Sequence, residues 1–198
     1  LNLIKEKNIK ANGKVDFNFF KNKLNNINIL EYKEGEKNLK GLIEFDPKFS
    51  PYKSVELNLT APSKSLDIKF IRNTPKNKLT LKGDFFDFSD DLKNFANNEK
   101  NEDSFLKKFQ PIDVNLNAKE ILISEKESIY KVQSLFTYQN NLIKTMKLNS
   151  ALNDNSTFKM TIGPKGPSRE VVINSNDAGL LMKKFNVNKS GKGGEFSL

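Results

Sequence analysis

The chain has 198 residues, 36% of them hydrophobic and 29% charged, and contains no Cys, no His and no Trp. Those absences exclude a structural zinc site of Cys and His, a Ser-His-Asp triad, a Cys nucleophile and any disulfide framework. The expectation is a protein that is not an enzyme and needs no cofactor. The net charge is +9, but 31 of the 33 basic residues are Lys, only Arg72 and Arg169 are Arg, and 27 positions are Asn. Bidentate phosphate or guanine contacts are therefore scarce, and the Lys excess fits an A/T-rich coding bias as well as a nucleic-acid partner.

Alternation with a period of two dominates the chain. Val15, Phe17 and Phe19 alternate with polar residues over 14–20, and Leu39, Ile43 and Phe45 over 39–45. Val55, Leu57 and Leu59 follow over 54–60, and Leu66, Ile68 and Phe70 over 65–71. Further runs hold Leu79, Leu81 and Phe85 (78–86), then Ile112, Val114, Leu116 and Ala118 (112–118). Tyr130, Val132, Phe136 and Tyr138 (129–138) precede Leu142, Met146 and Leu148 (142–150). The last runs are Phe158, Met160 and Ile162 (156–162) and Val171 and Ile173 (170–174). Successive strand side chains point to opposite faces, so each run predicts a half-buried strand.

Turn signals separate the runs: residues 73–77, Asn140-Asn141, residues 153–155 and Gly163-Pro164-Lys165-Gly166-Pro167. Such short connectors predict an antiparallel meander. Two segments break the pattern. Residues 90–110 are polar, with Leu92, Phe95, Phe105, Leu106 and Phe109 at helical spacing, and predict a partly helical insert ended by Pro111. Residues 174–185 predict one short helix, near 177–185, capped by Ser175 or Asn176, with Asp177 at its start and Lys183 and Lys184 at its end.

Chemistry-bearing clusters are few. Asp84, Asp87, Asp90 and Asp91 lack an EF-hand pattern and read as a polar strand face, a turn and a helix start, so no metal site is expected. The prolines of 163–168 remove amides that a phosphate cradle needs, and Ser190-Gly191-Lys192-Gly193-Gly194 lacks the Walker spacing. There is no run of 18 apolar residues and no signal-peptide core. The chain opens on Leu1 and closes on Gly193–Leu198, which reads as the start of another strand, the pattern expected of a segment cut from a longer protein.

The apolar face of the strands has two readings. In a closed sandwich or barrel it is core; in an open, curved sheet it lines a groove and marks a ligand or partner.

The stretch from Val171 to Leu181 (VVINSNDAGLL), followed by Phe185-Asn186-Val187 and Gly191-Lys192-Gly193-Gly194-Glu195-Phe196, resembles a signature of the AsmA-like proteins. There a strand leads into an S-x-D-A-G-x-L-L helix and then a G-G-x-L strand opening. Residues 79–89 (LTLKGDFFDFS) resemble that family's L-x-L-x-G-x-x-L-D-L-S strand, with Phe86 in place of Leu or Ile, and 111–118 resemble the strand after it. The likeness covers 55–198 and is strongest at 171–196; residues 1–54 contribute N-terminal hairpins.

The resemblance implies one β-groove segment, 1–198, of a bacterial bridge-like lipid-transfer protein. It would be periplasmic and anchored to the inner membrane of a Gram-negative bacterium through a segment outside this chain. Its implied role is phospholipid transport between inner and outer membranes, with envelope proteins as further partners and no nucleic acid. The acyl chains would lie on Val55, Leu57, Leu59, Leu66, Ile68 and Phe70, then on Leu79, Leu81, Val114 and Leu116. The line would continue over Phe136, Tyr138, Met146, Leu148, Phe158, Met160 and Ile162. Lysines at the rim would favour anionic headgroups. Two rivals are a closed β-sandwich scaffold or adaptor, and a basic β domain that tracks phosphates with Lys and stacks bases on Phe.

Overall fold

The structure, a computed structural model, describes residues 11–46, 48–62, 64–89, 108–124, 126–187 and 193–197. The chain divides into two compact units, residues 1–72 and 73–198. The sequence division at 54/55 falls inside a strand. In each unit the strands stand in chain order in an open, antiparallel-dominated sheet, so the fold class is all-β with one short helix.

The first unit holds β1 (Ala11–Phe20), β2 (Lys23–Glu34), β3 (Lys37–Asp46), β4 (Phe49–Ala61) and β5 (Lys64–Ile71), each antiparallel to the next. Lys21 and Asn22 both take positive φ (47° and 61°), the geometry of a two-residue hairpin turn whose twist matches the flanking strands. β2 is a strand the alternation did not predict. A register irregularity between Ile29 and Tyr32 breaks its period, so only Asn26-Ile27-Asn28-Ile29 carried the signal. Gly41 of β3 faces Leu57 of β4, and the pair approaches so closely that a Cβ on Gly41 would overlap the Glu56 carbonyl oxygen and lie 2.6 Å from Leu57 Cδ2.

The second unit contains β6 (Asn77–Asp87), β7 (Ile112–Ser124), β8 (Glu127–Gln139), β9 (Leu142–Ala151), β10 (Thr157–Lys165), β11 (Ser168–Ser175) and β12 (Phe196–Ser197). The meander is not wholly antiparallel: β6 and β7 pair parallel, from Asn77 opposite Ile112 to Asp87 opposite Leu122. Parallel neighbours need a crossover of a dozen or more residues, and the segment between Asp87 and Ile112 has that length. Of the predicted insert only Lys108–Gln110 and Ser89 are described; its helical residues 90–107, with Asp90 and Asp91, lie outside the described residues. The Asn77 side chain donates to the Phe109 carbonyl at 2.6 Å, and its amide to Pro111 at 2.9 Å, fixing the returning chain at the head of β6.

From β7 onward every pairing is antiparallel. Asn140 and Asn141 turn at φ 54° and 59°, as their sequence predicts. The turn after Gly163 is shorter than expected, because β10 and β11 stay paired to Lys165 opposite Ser168. Pairing with β9 ends at Ile162, so Pro164 sits where β10 is an edge and its missing amide is tolerated.

The helix α1 (Ala178–Lys184) follows β11. Its N-cap is Asp177, not Ser175 or Asn176: the carboxylate accepts the Leu180 amide at 2.9 Å. Ser175 acts one step earlier, its Oγ accepting the Asp177 amide at 3.1 Å. Asn176 instead ties the β9–β10 turn, accepting the Thr157 amide at 2.7 Å. Leu181 packs into a buried cluster with Leu116, Ala118, Ile121, Ile123, Ile129, Val132, Leu152 and Phe158, while Leu180 flanks it. The buried Lys184 anchors the far end of the helix, donating to the Ser128 carbonyl at 2.7 Å and pairing with Glu127 at 3.2 Å.

Candidate functional site

Register places the expected apolar residues of each unit on one face of its sheet. In the first unit one row across the strands is Phe17, Ile27, Ile43, Val55 and Phe70. The next is Val15, Ile29, Gly41, Leu57 and Ile68, and a third joins Leu39, Leu59 and Leu66. Five strands at about 4.8 Å make this lattice about 19 Å wide. Phe70 is buried and meets Tyr52 edge to face at 5.8 Å. Val55, Leu57, Leu66 and Ile68 are half-buried and Leu59 is exposed. Among the described residues this unit has no helix or second sheet of its own to cover the face.

The most exposed members lie on β1 and were not among the expected site residues: Phe17 is 58% and Phe19 66% exposed. Their alternation with Val15 was visible in the sequence. What it lacked was any sign that β1 has a neighbour, because β2 was unread.

In the second unit, Leu79 and Leu81 line up with Val114 and Leu116. Val114 and Leu116 face Phe136 and Ser134, and these face Met146 and Leu148. Met146, Leu148 and Ser150 then face Ile162, Met160 and Phe158. Tyr138 sits opposite Ile112 at the end of the row. The face is not uniformly accessible. Leu79, Val114, Leu116 and Phe158 are buried, and Leu116 and Phe158 belong to the cluster that receives Leu181 of α1. Leu81, Phe136, Tyr138, Met146, Leu148, Met160 and Ile162 are half-buried. Burial pushes the Tyr138 phenol up from its usual value of 10.0.

A phase change crosses this sheet. Ala118 is buried, but the next buried residue of β7 is Ile121; at the same level Val132 gives way to Ile129 on β8, where Lys131 takes φ 51°. On β6 the inward set passes from Gly83 to Phe86 and Phe88, whose rings stack at 5.9 Å beside the cluster. The G-x-x-F spacing of residues 83–86 thus records a change of face. Asp84, expected on a polar strand face, pairs with Lys119 at 2.5 Å, and Asp87 accepts the Ser89 amide and hydroxyl at 3.0 and 2.6 Å. No cluster of three or more possible metal ligands occurs among the described residues.

The opposite face of the second unit is polar and carries a depression of about 710 Å³. Its lining includes Lys78, Thr80, Asp113, Asn115, Leu135, Thr137, Thr145 and Lys147. By alternation these point away from Leu79, Val114, Phe136 and Met146. In the first unit Lys33 holds the exposed Glu31 carboxyl below its usual range by a 2.7 Å contact.

No described helix is long and apolar enough to cross a membrane. No family model, curated protein or solved structure matches the chain.

Proposed function

We propose that the chain is a periplasmic segment of an AsmA-like, inner-membrane-anchored protein that carries phospholipid between inner and outer membranes, holding acyl chains on its apolar sheet face. The observation that supports this reading best is the apolar lattice of the first unit, which has no layer of its own over it and leaves Phe17, Phe19 and Leu59 open. Contiguous apolar surface of this kind marks a ligand or partner. An acyl chain laid on it gains about 0.8 kcal/mol per buried CH₂, and a width of about 19 Å gives a chain room to lie across the strands. In the second unit the role falls to the half-buried Phe136, Tyr138, Met146 and Ile162 rather than to Leu116 and Phe158, which α1 already covers.

The test is phospholipid capture. The chain, expressed in a Gram-negative periplasm, is purified without detergent and its lipid is quantified by mass spectrometry. Phe17→Asp and Leu59→Asp replace exposed side chains, so the fold should survive while bound phospholipid falls at least tenfold. Undiminished lipid in both variants, or none in the parent chain, overturns the proposal.

A further inference from the structure

The depression on the polar face of the second unit is a separate feature, on the other side of the sheet from the apolar residues. Its side chains form two rows. One runs Lys78, Asp113, Thr137, Thr145 and the other Thr80, Asn115, Leu135, Lys147, each across β6, β7, β8 and β9. The floor is four paired strands, so its groups are held in place before any ligand arrives.

The charges are unevenly satisfied. Asp113 accepts the Thr137 hydroxyl at 2.6 Å and pairs with Lys76 at 3.4 Å, which answers its charge internally. Lys78 and Lys147 have no ionic or hydrogen-bonding partner among the described residues, and neither do the side chains of Thr80, Asn115 and Thr145. The two free ammonium groups stand on strands three apart, about 15 Å from one another along the diagonal. Between them lie hydroxyl and amide groups and one apolar side chain, Leu135, 57% exposed on a face otherwise polar.

We propose that this depression binds an acidic oligosaccharide. Lys78 and Lys147 would each meet a carboxylate, Thr80, Asn115 and Thr145 would meet sugar hydroxyls, and Leu135 would meet the C–H face of a sugar ring. A single-stranded nucleic acid suits the site less well, since the polar-face lining has no aromatic ring for a base and no Arg for phosphate. An extended peptide adds to a free sheet edge, whereas these four strands are paired at the depression.

Titration calorimetry of the full chain with tetragalacturonic acid tests the proposal, with the uncharged maltotetraose, inorganic phosphate and a single-stranded oligonucleotide as comparisons. Saturable binding of tetragalacturonate is expected, weakened about tenfold by Lys78→Gln or Lys147→Gln and lost in the double variant. Both lysines are exposed, so far-ultraviolet circular dichroism should not change. No binding of tetragalacturonate, binding indifferent to both substitutions, or equal binding of maltotetraose overturns it. So does phosphate or the oligonucleotide binding as tightly as the acidic sugar.

Discussion

The amide of Ala178 donates to the carbonyl oxygen of Gly194 at 2.6 Å, and the Gly179 amide reaches Gly193 at 3.1 Å. The opening amides of a helix have no partner within it, and here a strand-leading loop supplies two of them while Asp177 supplies a third. The D-A-G and G-G portions of the C-terminal motif are therefore one device, a helix start closed by the segment that leads into β12.

Breaking that device should loosen the helix before the sheet. Asp177→Ala removes a side-chain cap and should cost about 1 kcal/mol. Gly194 has φ 87°, where a side chain is strained, so Gly194→Ala should cost at least as much. Urea unfolding gives both values, and hydrogen exchange at the Leu180 amide should quicken most in Asp177→Ala. Unaltered exchange there would show that the cap contributes nothing.

Gly41 predicts a second sensitivity. Its hydrogen lets the Glu56 carbonyl and the Leu57 side chain close onto β3, and an added methyl would force the strands apart. Gly41→Ala should destabilise the first unit by about 1–3 kcal/mol, the usual range for overpacking. Gly35 has open space around a would-be Cβ but φ 60°, so Gly35→Asn, which tolerates that conformation, should be nearly neutral. A larger loss at Gly35 than at Gly41 in thermal melts would refute the packing argument.

Most strands were legible because a two-residue period survives wherever a sheet has one apolar face. Beyond that, three kinds of information were hidden. β2 was missed because an irregularity at Ile29/Tyr32 shifts its phase, and local alternation cannot see across such a shift. The parallel pairing of β6 with β7 depends on where the insert's ends meet, which Asn77 and Phe109 fix through space. For the candidate site, parity assigned Leu116 and Met146 to the same face but could not say that α1 buries only the first. The helix itself was legible from its motif; the cap fell on Asp177 because Ser175 and Asn176 were already engaged with Thr157.

Two buried serines offer a prediction of opposite sign. Ser134 and Ser150 lie on the apolar face of the second unit, and their hydroxyl oxygens have no hydrogen-bond partner. An unsatisfied buried hydroxyl carries its full desolvation penalty, about 1–3 kcal/mol. Ser134→Ala and Ser150→Ala keep Cβ and remove the hydroxyl, so each should raise the urea midpoint. Lowered midpoints in both would mean that the hydroxyls are satisfied in solution.

Tyr138 supplies a pH dependence. Burial at the end of the apolar row raises its phenol above 10.0, because the charged phenolate loses more hydration in the folded chain than in the unfolded one. A group whose folded pKa exceeds its unfolded value contributes stability that is complete below the unfolded pKa and is lost as pH rises through the folded one. Stability from this source should therefore be intact at neutral pH and decline above about pH 10. Lysine deprotonation occurs in the same range, so the measurement is the difference between the parent chain and Tyr138→Phe, in which the lysines are shared. The difference in urea midpoint should be constant from about pH 7 to 9 and then move in favour of Tyr138→Phe toward pH 11. A difference that stays flat across the whole range would show that the phenol is as well hydrated in the folded sheet as in the unfolded chain.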